Sequence, residues 1–487
     1  MKNINYHAYG ESYRNNIDQT VFKYRRKVIE MLNEKGILTV DIDVLLSKIA
    51  DNDFFNENTM NIEKKVNSIL INQYHDPYYG VMAKNEKHKL SKDDEYVDVT
   101  DDVKMIILII DLFRTVFLYQ SFGDTFGYDN GQREFNGGNQ SVTAEYTNIL
   151  LYDYINRGGI IDSSMKGWKA SDDTIMYLET YKILLTTDTV NDFGQALKEV
   201  FVKLHPELKK RHIGNITNRS LNMQKNIKWN ELPYNSEDIG NGACMRTGCI
   251  GLLLFGEHNR SKLISYAIES SRITHNSATG ILSGVTSALF TAFAVEHVNI
   301  NEWPQKMIDI IKSKIIDTYI EGKYPQEFES YISDKMAYVG YWEIYIGKRF
   351  SGKTKREMPI MTNLVNRVQF FINNFSRDRP DFPGGRGHDS TIMAYDALLE
   401  SGGILEKALI YSCIHIGDTD TIGSMTMSWF CLYHISKQYY ELLYDRFIQL
   451  EYFEEITELD KLMVNKIIRT TQYDLKIEIT RQILEKY

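Results

Sequence analysis

Residues 169–185 read "KASDDTIMYLETYKILL". The second part, "TIMYLETYKILL", repeats apolar residues at intervals of three and four, the spacing that gathers them on one face of a helix. The first part sets Ser171 and Thr174 around Asp172 and Asp173, where the helical pattern begins. The plain reading of such a start is an N-cap, with carboxylates in the first turn that satisfy free amides and complement the helix dipole. The same periodicity returns in "SALFTAFAVEHV" (287–298), "MIDIIKSKIIDTYI" (307–320) and "VNKIIRTTQYDLKIEITRQIL" (464–484). Strict alternation is rare, the 487 residues include only eight prolines, and glycines gather in short loops between helical patterns. These features predict an all-α domain, far above the ordinary helix content of globular chains.

Composition bounds the function. Hydrophobic residues make up 43% and aromatics 12%, so the chain has ample material for a core. A net charge of -9 without a long basic run argues against nucleic acid as a partner. The one compact basic cluster, "KYRRK" (23–27), lies in a helical pattern and reads as a solvated face. Cys244, Cys249, Cys413 and Cys431 form no CxxC and no zinc spacing, which predicts reduced, packed thiols in a soluble, cytoplasmic protein. The first residues, "MKNINYHAYGESYRNNID", lack the apolar run of a signal peptide. Residues 105–119, "MIILIIDLFRTVFLY", are interrupted by Asp111 and Arg114, and Ile273 to Val295 is rich in Thr, Ser, Gly and Asn. Both are expected as buried helices rather than membrane spans. Residues 1–100 read as a separate, mostly helical extension of unassigned chemistry, ending in an exposed linker, "AKNEKHKLSKDDEYVDVTDD" (83–102); residues 101–487 form the main domain, C-terminal helices included.

A second acidic motif, "HIGDTDTIGSM" (415–425), puts Asp418 and Asp420 between apolar stretches, where an unpaired carboxylate is costly. Together with "SDDT" it supplies four aspartates and several hydroxyls. These are hard oxygen donors without Cys or His, the preference of Mg²⁺ or Mn²⁺ rather than zinc. Two divalent cations would cancel that formal charge, polarise a substrate oxygen and activate a water, if the fold gathers the motifs. Other candidates are weaker singly. "FGDTFGYDNGQREF" (122–135), with Asp124, Asp129 and Glu134, reads as a turn-rich loop after a buried helix. Gly240, Asn241 and Gly242 open a helix whose free amides suit a phosphate, although glycine there also serves ordinary turns. His275, and His388 with Gly385, Gly387 and Asp389, each read alone as structural residues.

Taken in order, the motifs resemble the ADP-ribosylglycohydrolases, and most closely their ADP-ribosylarginine hydrolase branch. "GDTFGYDNGQREF", "SDDTIMYL", "PYNSEDIGNGACMRTGCIGL", "ESSRITHNSATG", "SALFTAFAV" and "GHDSTIMAYDAL" each look like that branch, over about Met105 to at least Ser436. The resemblance implies a compact, orthogonal multi-helix domain with two magnesium ions in a cleft. Ser171, Asp172, Asp173, Asp418, Asp420 and Thr421 would be the metal ligands, with Mn²⁺ a possible substitute. Glu134, Asp172 and Asp173 would stand nearest the proton transfers. Gly240, Asn241, Gly242, Ala243, His275, Gly385, Gly387, His388 and Asp389 would contact ADP-ribose, and Tyr338 would pack on adenine. The implied reaction is hydrolysis of the bond between ribose C1″ and an arginine guanidinium nitrogen of an ADP-ribosylated protein or peptide. It releases ADP-ribose, with a monomer and no membrane expected. Competing readings are a silent, ADP-ribose-binding or structural member, and a hydrolase of serine-linked or other O-linked ADP-ribose. The six ligand side chains favour activity, and the "GYDNGQREF" and "PYNS" wording favours arginine.

Three departures stand out. Ile416 replaces the first of two glycines before Asp418, and its side chain either narrows the approach to the metals or points into the core. Met425, Met427 and Trp429 need more room than the small residues usual there, so the neighbouring helix must repack. Arg379 stands where the branch has a second adenine-packing tyrosine, and an arginine also stacks on a base.

Overall fold

The computed structural model describes residues 99–138, 142–351, 355–356, 363–434 and 437–470. Nearly all of the expected N-terminal extension, with "KYRRK", and the end of the 464–484 helix lie outside them. The site is built by α1 (Val99–Tyr128), α2 (Asp172–Thr186), α3 (Cys244–Leu253), α4 (Ala278–Val295), α5 (Pro325–Arg349), α6 (Gly387–Ser401) and α7 (Thr419–His434). The fold is all-α. Its only strands among the described residues are Phe350–Ser351 and Lys355–Arg356, an antiparallel pair two residues long. The expected linker ends sooner than predicted, because residues 99–102 already belong to α1. The unit that carries the site spans residues 115–456, and residues 99–114 and 457–470 belong to a second unit.

Helix α4 is the axis of the first unit. Ser277 starts it from an extended conformation, its hydroxyl accepting the Gly280 amide at 2.9 Å. Every residue but Thr279 is buried, against α3, α5, α6, α7 and the helix Arg260–Arg272. Its small residues permit that crowding: a Cβ at Gly251 of α3 would stand 1.9 Å from the Ala288 carbonyl oxygen, and one at Gly284 would stand 2.1 Å from Ser271 Oγ. Its hydroxyls find partners inside. Thr286 accepts from the Tyr338 hydroxyl at 2.7 Å, and Thr291 accepts from Trp429 Nε1 at 3.0 Å. Among the described residues α4 is the one helix long and apolar enough to cross a membrane, and here it is the core. From α7, Trp429 packs edge-on against Phe290 of α4 at 5.5 Å.

Helices α1 and α7 cross at backbone contact. A Cβ at Gly123 would lie 2.3 Å from the Gly423 carbonyl oxygen, and one at Gly127 would lie 2.1 Å from that of Thr419. The missing side chains let the Thr419 hydroxyl donate to the Gly127 carbonyl at 2.6 Å. Gly123 also leaves space for Met427, whose Cγ would be 2.9 Å from a Cβ there. All four cysteines are free and buried, and burial pushes their thiols upward, that of Cys244 to about 12.

Candidate active site

The N-terminus of α2 is organised by a residue that the sequence reading left in a loop. Ser171 caps the helix, accepting the Asp173 amide at 3.1 Å, as the N-cap reading expects. The same hydroxyl donates to Asp124 Oδ1 at 2.6 Å, and the amides of Ser171 and Thr174 reach Asp124 Oδ2 at 3.2 and 3.1 Å. The Thr174 hydroxyl is a further donor to Asp124. Helix α1 runs on to Tyr128, so Asp124 projects from a helix and not from a turn. Burial raises its carboxyl to about 6 even though all of these donors pull it down.

The second acidic motif opens α7. Asp418 Oδ1 and Asp420 Oδ1 share the Thr421 amide at 3.3 and 2.9 Å. Asp418 Oδ2 accepts from Asn241 Nδ2 at 2.7 Å, and the same amide group donates to the Gly384 carbonyl at 3.0 Å. Helices α2 and α7 pack together, and Thr421 eases the upward shift of Asp173. Asp172, Asp173 and Asp420 are all held well above the usual carboxylate range, first by burial and then by a neighbouring carboxylate, Glu134 for Asp172 and Asp420 and Asp172 for Asp173; Asp418 is raised for the same first reason. Glu134, just beyond α1, is pushed up to about 7 by burial; Asp418 adds to the shift and His212 opposes it, its Nδ1 lying 3.4 Å from Glu134 Oε2.

The donor chemistry suits a hard divalent cation. It is oxygen only, and Asp173 Oδ2 is buried with no hydrogen-bond partner. Among the described residues no three His, Cys, Asp or Glu side chains converge on one point. Like charges repel, and Asp124, Asp418 and Asp420 are held instead by backbone amides, with hydroxyls added at Asp124.

The two glycine loops form one wall. Gly240 and Arg386 make an antiparallel bridge, and the Gly387 amide donates to the Ile239 carbonyl at 2.9 Å. His275 lies buried beneath: a Cβ at Gly242 would stand 2.6 Å from its Cε1, and one at Gly240 would stand 3.0 Å from its Nε2. Burial lowers this imidazole well below its ordinary value, and its Nδ1 pairs with the Thr274 hydroxyl at 2.8 Å. Arg246, fully buried in α3, binds the Gly242 carbonyl and the Thr274 hydroxyl; burial pulls it down to about 9 while the charges of Cys244, Asp172 and Asp173 oppose. Asp389 spends both oxygens inside the protein, accepting from the Arg386 amide at 2.8 Å, the Gly384 amide at 3.0 Å and the Ser376 hydroxyl at 2.6 Å. It shapes the loop that holds Gly385. Gly387 is packed against Ser283, Ala243 is fully buried, and His388 stacks on Tyr341 with ring centroids 3.9 Å apart.

Some expected positions fall elsewhere. Tyr338 is fully enclosed among Thr286, Thr391 and Trp342, so it presents no face to an adenine; Tyr341, one turn further along α5, is the half-buried ring. Ile416 points into the core, where it joins Ala144, Val368 and Ile372. The close approach at this turn belongs to Gly417, where a Cβ would stand 2.0 Å from the Pro383 carbonyl oxygen. Arg379 is exposed and lies over Phe382 at 4.9 Å, and Phe382 packs on Phe135 at 5.0 Å. Sequence reasoning placed Asp124, a weak candidate, in a turn-rich loop and missed His212 altogether. The first carried a signal, a carboxylate inside an apolar helix; the second, in a basic stretch, carried none.

The family model for ADP-ribosylglycohydrolase matches residues 107–467, a span that contains every acid described above. The chain belongs to the ADP-ribosylglycohydrolase family. A protein of Acanthamoeba polyphaga mimivirus that carries the name ADP-ribosyl glycohydrolase is 47% identical over 351 residues, covering 71% of this chain and 68% of that one. ADP-ribosylhydrolase ARH1 of Dictyostelium discoideum is 29% identical over 340 residues, covering 65% of this chain and 85% of its own. Among solved structures, a chain of an ADP-ribosylglycohydrolase-related protein complex superposes with a TM-score of 0.42 at 15% identity, covering 74% of this chain and 98% of that one. As an ADP-ribosylglycohydrolase, the protein is a hydrolase whose buried acids lie where two helix N-termini meet two glycine loops.

Proposed function

We propose that this ADP-ribosylglycohydrolase removes ADP-ribose from arginine side chains of proteins, hydrolysing the bond between ribose C1″ and a guanidinium nitrogen. The carrying observation is the group of mutually perturbed, buried acids, Asp172, Asp173, Asp418 and Asp420 at the start of α2 and α7 and Glu134 just beyond α1. The arginine linkage is supported by the motif wording of that branch. In this reading Ser171, Asp172, Asp173, Asp418, Asp420 and Thr421 would hold two divalent cations, Mg²⁺ or Mn²⁺, which when bound supply Lewis acidity and neutralise the four aspartates. Glu134 stands outside that ligand set. Its carboxyl, raised to about 7, is suited to take a proton from the attacking water near neutral pH. The paired glycine loops offer backbone amides at the opening of α3 for the diphosphate. The protein would work as a cytoplasmic monomer.

The test incubates the protein and Mg²⁺ with arginine-linked and serine-linked ADP-ribosyl peptides, beside Asp172→Ala and Asp420→Ala. We expect release from the arginine peptide and a loss of at least about 100-fold in both variants. Release from neither peptide would sink the activity, a preference for the serine peptide would reassign the linkage, and fully active variants would remove the cation site.

A further inference from the structure

Among the described residues, the acid assigned to proton transfer has an ionisable partner that reaches solvent, His212. His212 follows the short 3₁₀ turn Lys209–Arg211 and sits in the left-handed region at φ 60°, ψ 31°. Non-glycine residues are uncommon there, histidine less so than most. That backbone turn aims the ring at Glu134, with Nδ1 3.4 Å from Oε2. Two other residues shape its seat. Gly131, itself at φ +79°, leaves the space in which a Cβ would stand 2.3 Å from the imidazole Cε1, and Tyr128 meets the ring edge-on at 5.4 Å. The His212 side chain is 57% exposed and that of Glu134 only 15%, so the pair spans the boundary between the buried acids and bulk water.

We propose that His212 is the positioning and proton-relay residue of Glu134, holding its carboxylate toward the reacting centre and exchanging its proton with solvent. The inference rests on the role assigned to Glu134 above. As the water oxygen bonds to C1″, the C1″–N bond breaks and its electron pair leaves with the guanidine nitrogen. One water proton passes to Glu134, from there to His212 Nδ1, and His212 Nε2–H releases a proton to solvent, while the departing guanidine takes one proton up from solvent. Protons and charge balance, with no other reactant. The charged groups around the pair are consistent with this traffic. Asp418 and Asp124 raise Glu134, whose charge in turn acts on Asp172, Asp420 and Tyr128; His212 is raised by its bond to Glu134. Lys210 and Arg211 beside it are engaged by Glu207, and Arg211 also by Glu451.

The experiment compares intact protein with His212→Gln, His212→Ala and Glu134→Gln, with Mg²⁺ and the arginine-linked peptide between about pH 5.5 and 9. We expect kcat for His212→Gln to fall about tenfold or more with KM within about twofold, a displaced neutral limb in the pH profile, and recovery of His212→Ala by added imidazole. Independently of turnover, the His212 ring resonances in NMR should titrate at lower pH in Glu134→Gln than in intact protein. An unchanged kcat and pH profile in His212→Gln, or a His212 titration indifferent to Glu134→Gln, overturns the proposal. If the intact protein releases nothing, the functional reading fails, and the NMR comparison still decides whether the two groups share a proton.

Discussion

At residue 416 a departure from the family pattern turns out to be a packing residue. Ile416 is 2% exposed and buried against Ala144, Val368 and Ile372, on the far side of a turn whose tight contact is made by Gly417. Restoring the family glycine should therefore damage the protein instead of opening its cleft. Ile416→Gly is expected to lose about 3 kcal/mol of stability, as large-to-small core changes do, with kcat unchanged to within about twofold below the melting temperature. A faster enzyme would place the side chain in the substrate path. The sequence alone left both orientations open, because periodicity does not say which way a loop residue points. Tyr338 shows the same limit from the other side: an aromatic in the right motif, yet walled in by α4 and α6.

Among the elements, α1 is the part on which the others depend. Asp124 ties down the start of α2, Gly123 and Gly127 admit α7, and Glu134 hangs from its end. Gly127→Ala drives a methyl into the Thr419 carbonyl and the Asp420 Cα, which are backbone and have no rotamer to yield. It should cost about 3 kcal/mol or more and weaken Mg²⁺-induced stabilisation, because Asp418 and Asp420 ride on the displaced helix. Gly340→Ala is the contrasting case. It lies within α5 with nothing within 4 Å of its added Cβ, and should stabilise the protein by about 0.5–1 kcal/mol. Denaturant melts of the two variants distinguish crowding from helix propensity. The helices of "TIMYLETYKILL" and "SALFTAFAVEHV" were legible from their three-and-four spacing, as was the cap at Ser171. The α1–α7 crossing was not, since "GDTFG" and "TIGSM" lie almost 300 residues apart and nothing local pairs them.

For the whole molecule, the gathered acids make a prediction about pH. A carboxyl whose folded value is raised binds more protons in the native state than in the unfolded chain, so its contribution to stability falls as pH rises from about 4 through the folded value. With Asp124 at about 6, Glu134 at about 7 and the four aspartates also raised, that loss extends past neutrality. Buried His275, His388 and His415, all lowered, act in the opposite sense below about pH 6.5. The difference in melting temperature between Mg²⁺ and EDTA should therefore be large at pH 8 and shrink toward pH 6, where protons compete for the same oxygens. A difference independent of pH would separate Mg²⁺ binding from these acids.

By itself the sequence determined the all-α class, the buried character of α4, the packed thiols and the two acidic motifs, because each is written in local spacing and residue type. The family, too, was legible from the order of those motifs. Only the tertiary structure decided that Asp124 binds the α2 terminus, that Asn241 joins a glycine loop to Asp418, that Asp389 serves its own loop, and that His212 reaches Glu134. Those contacts link residues far apart along the chain or aimed by a single left-handed turn, and direction in space is set by packing, which no local pattern encodes.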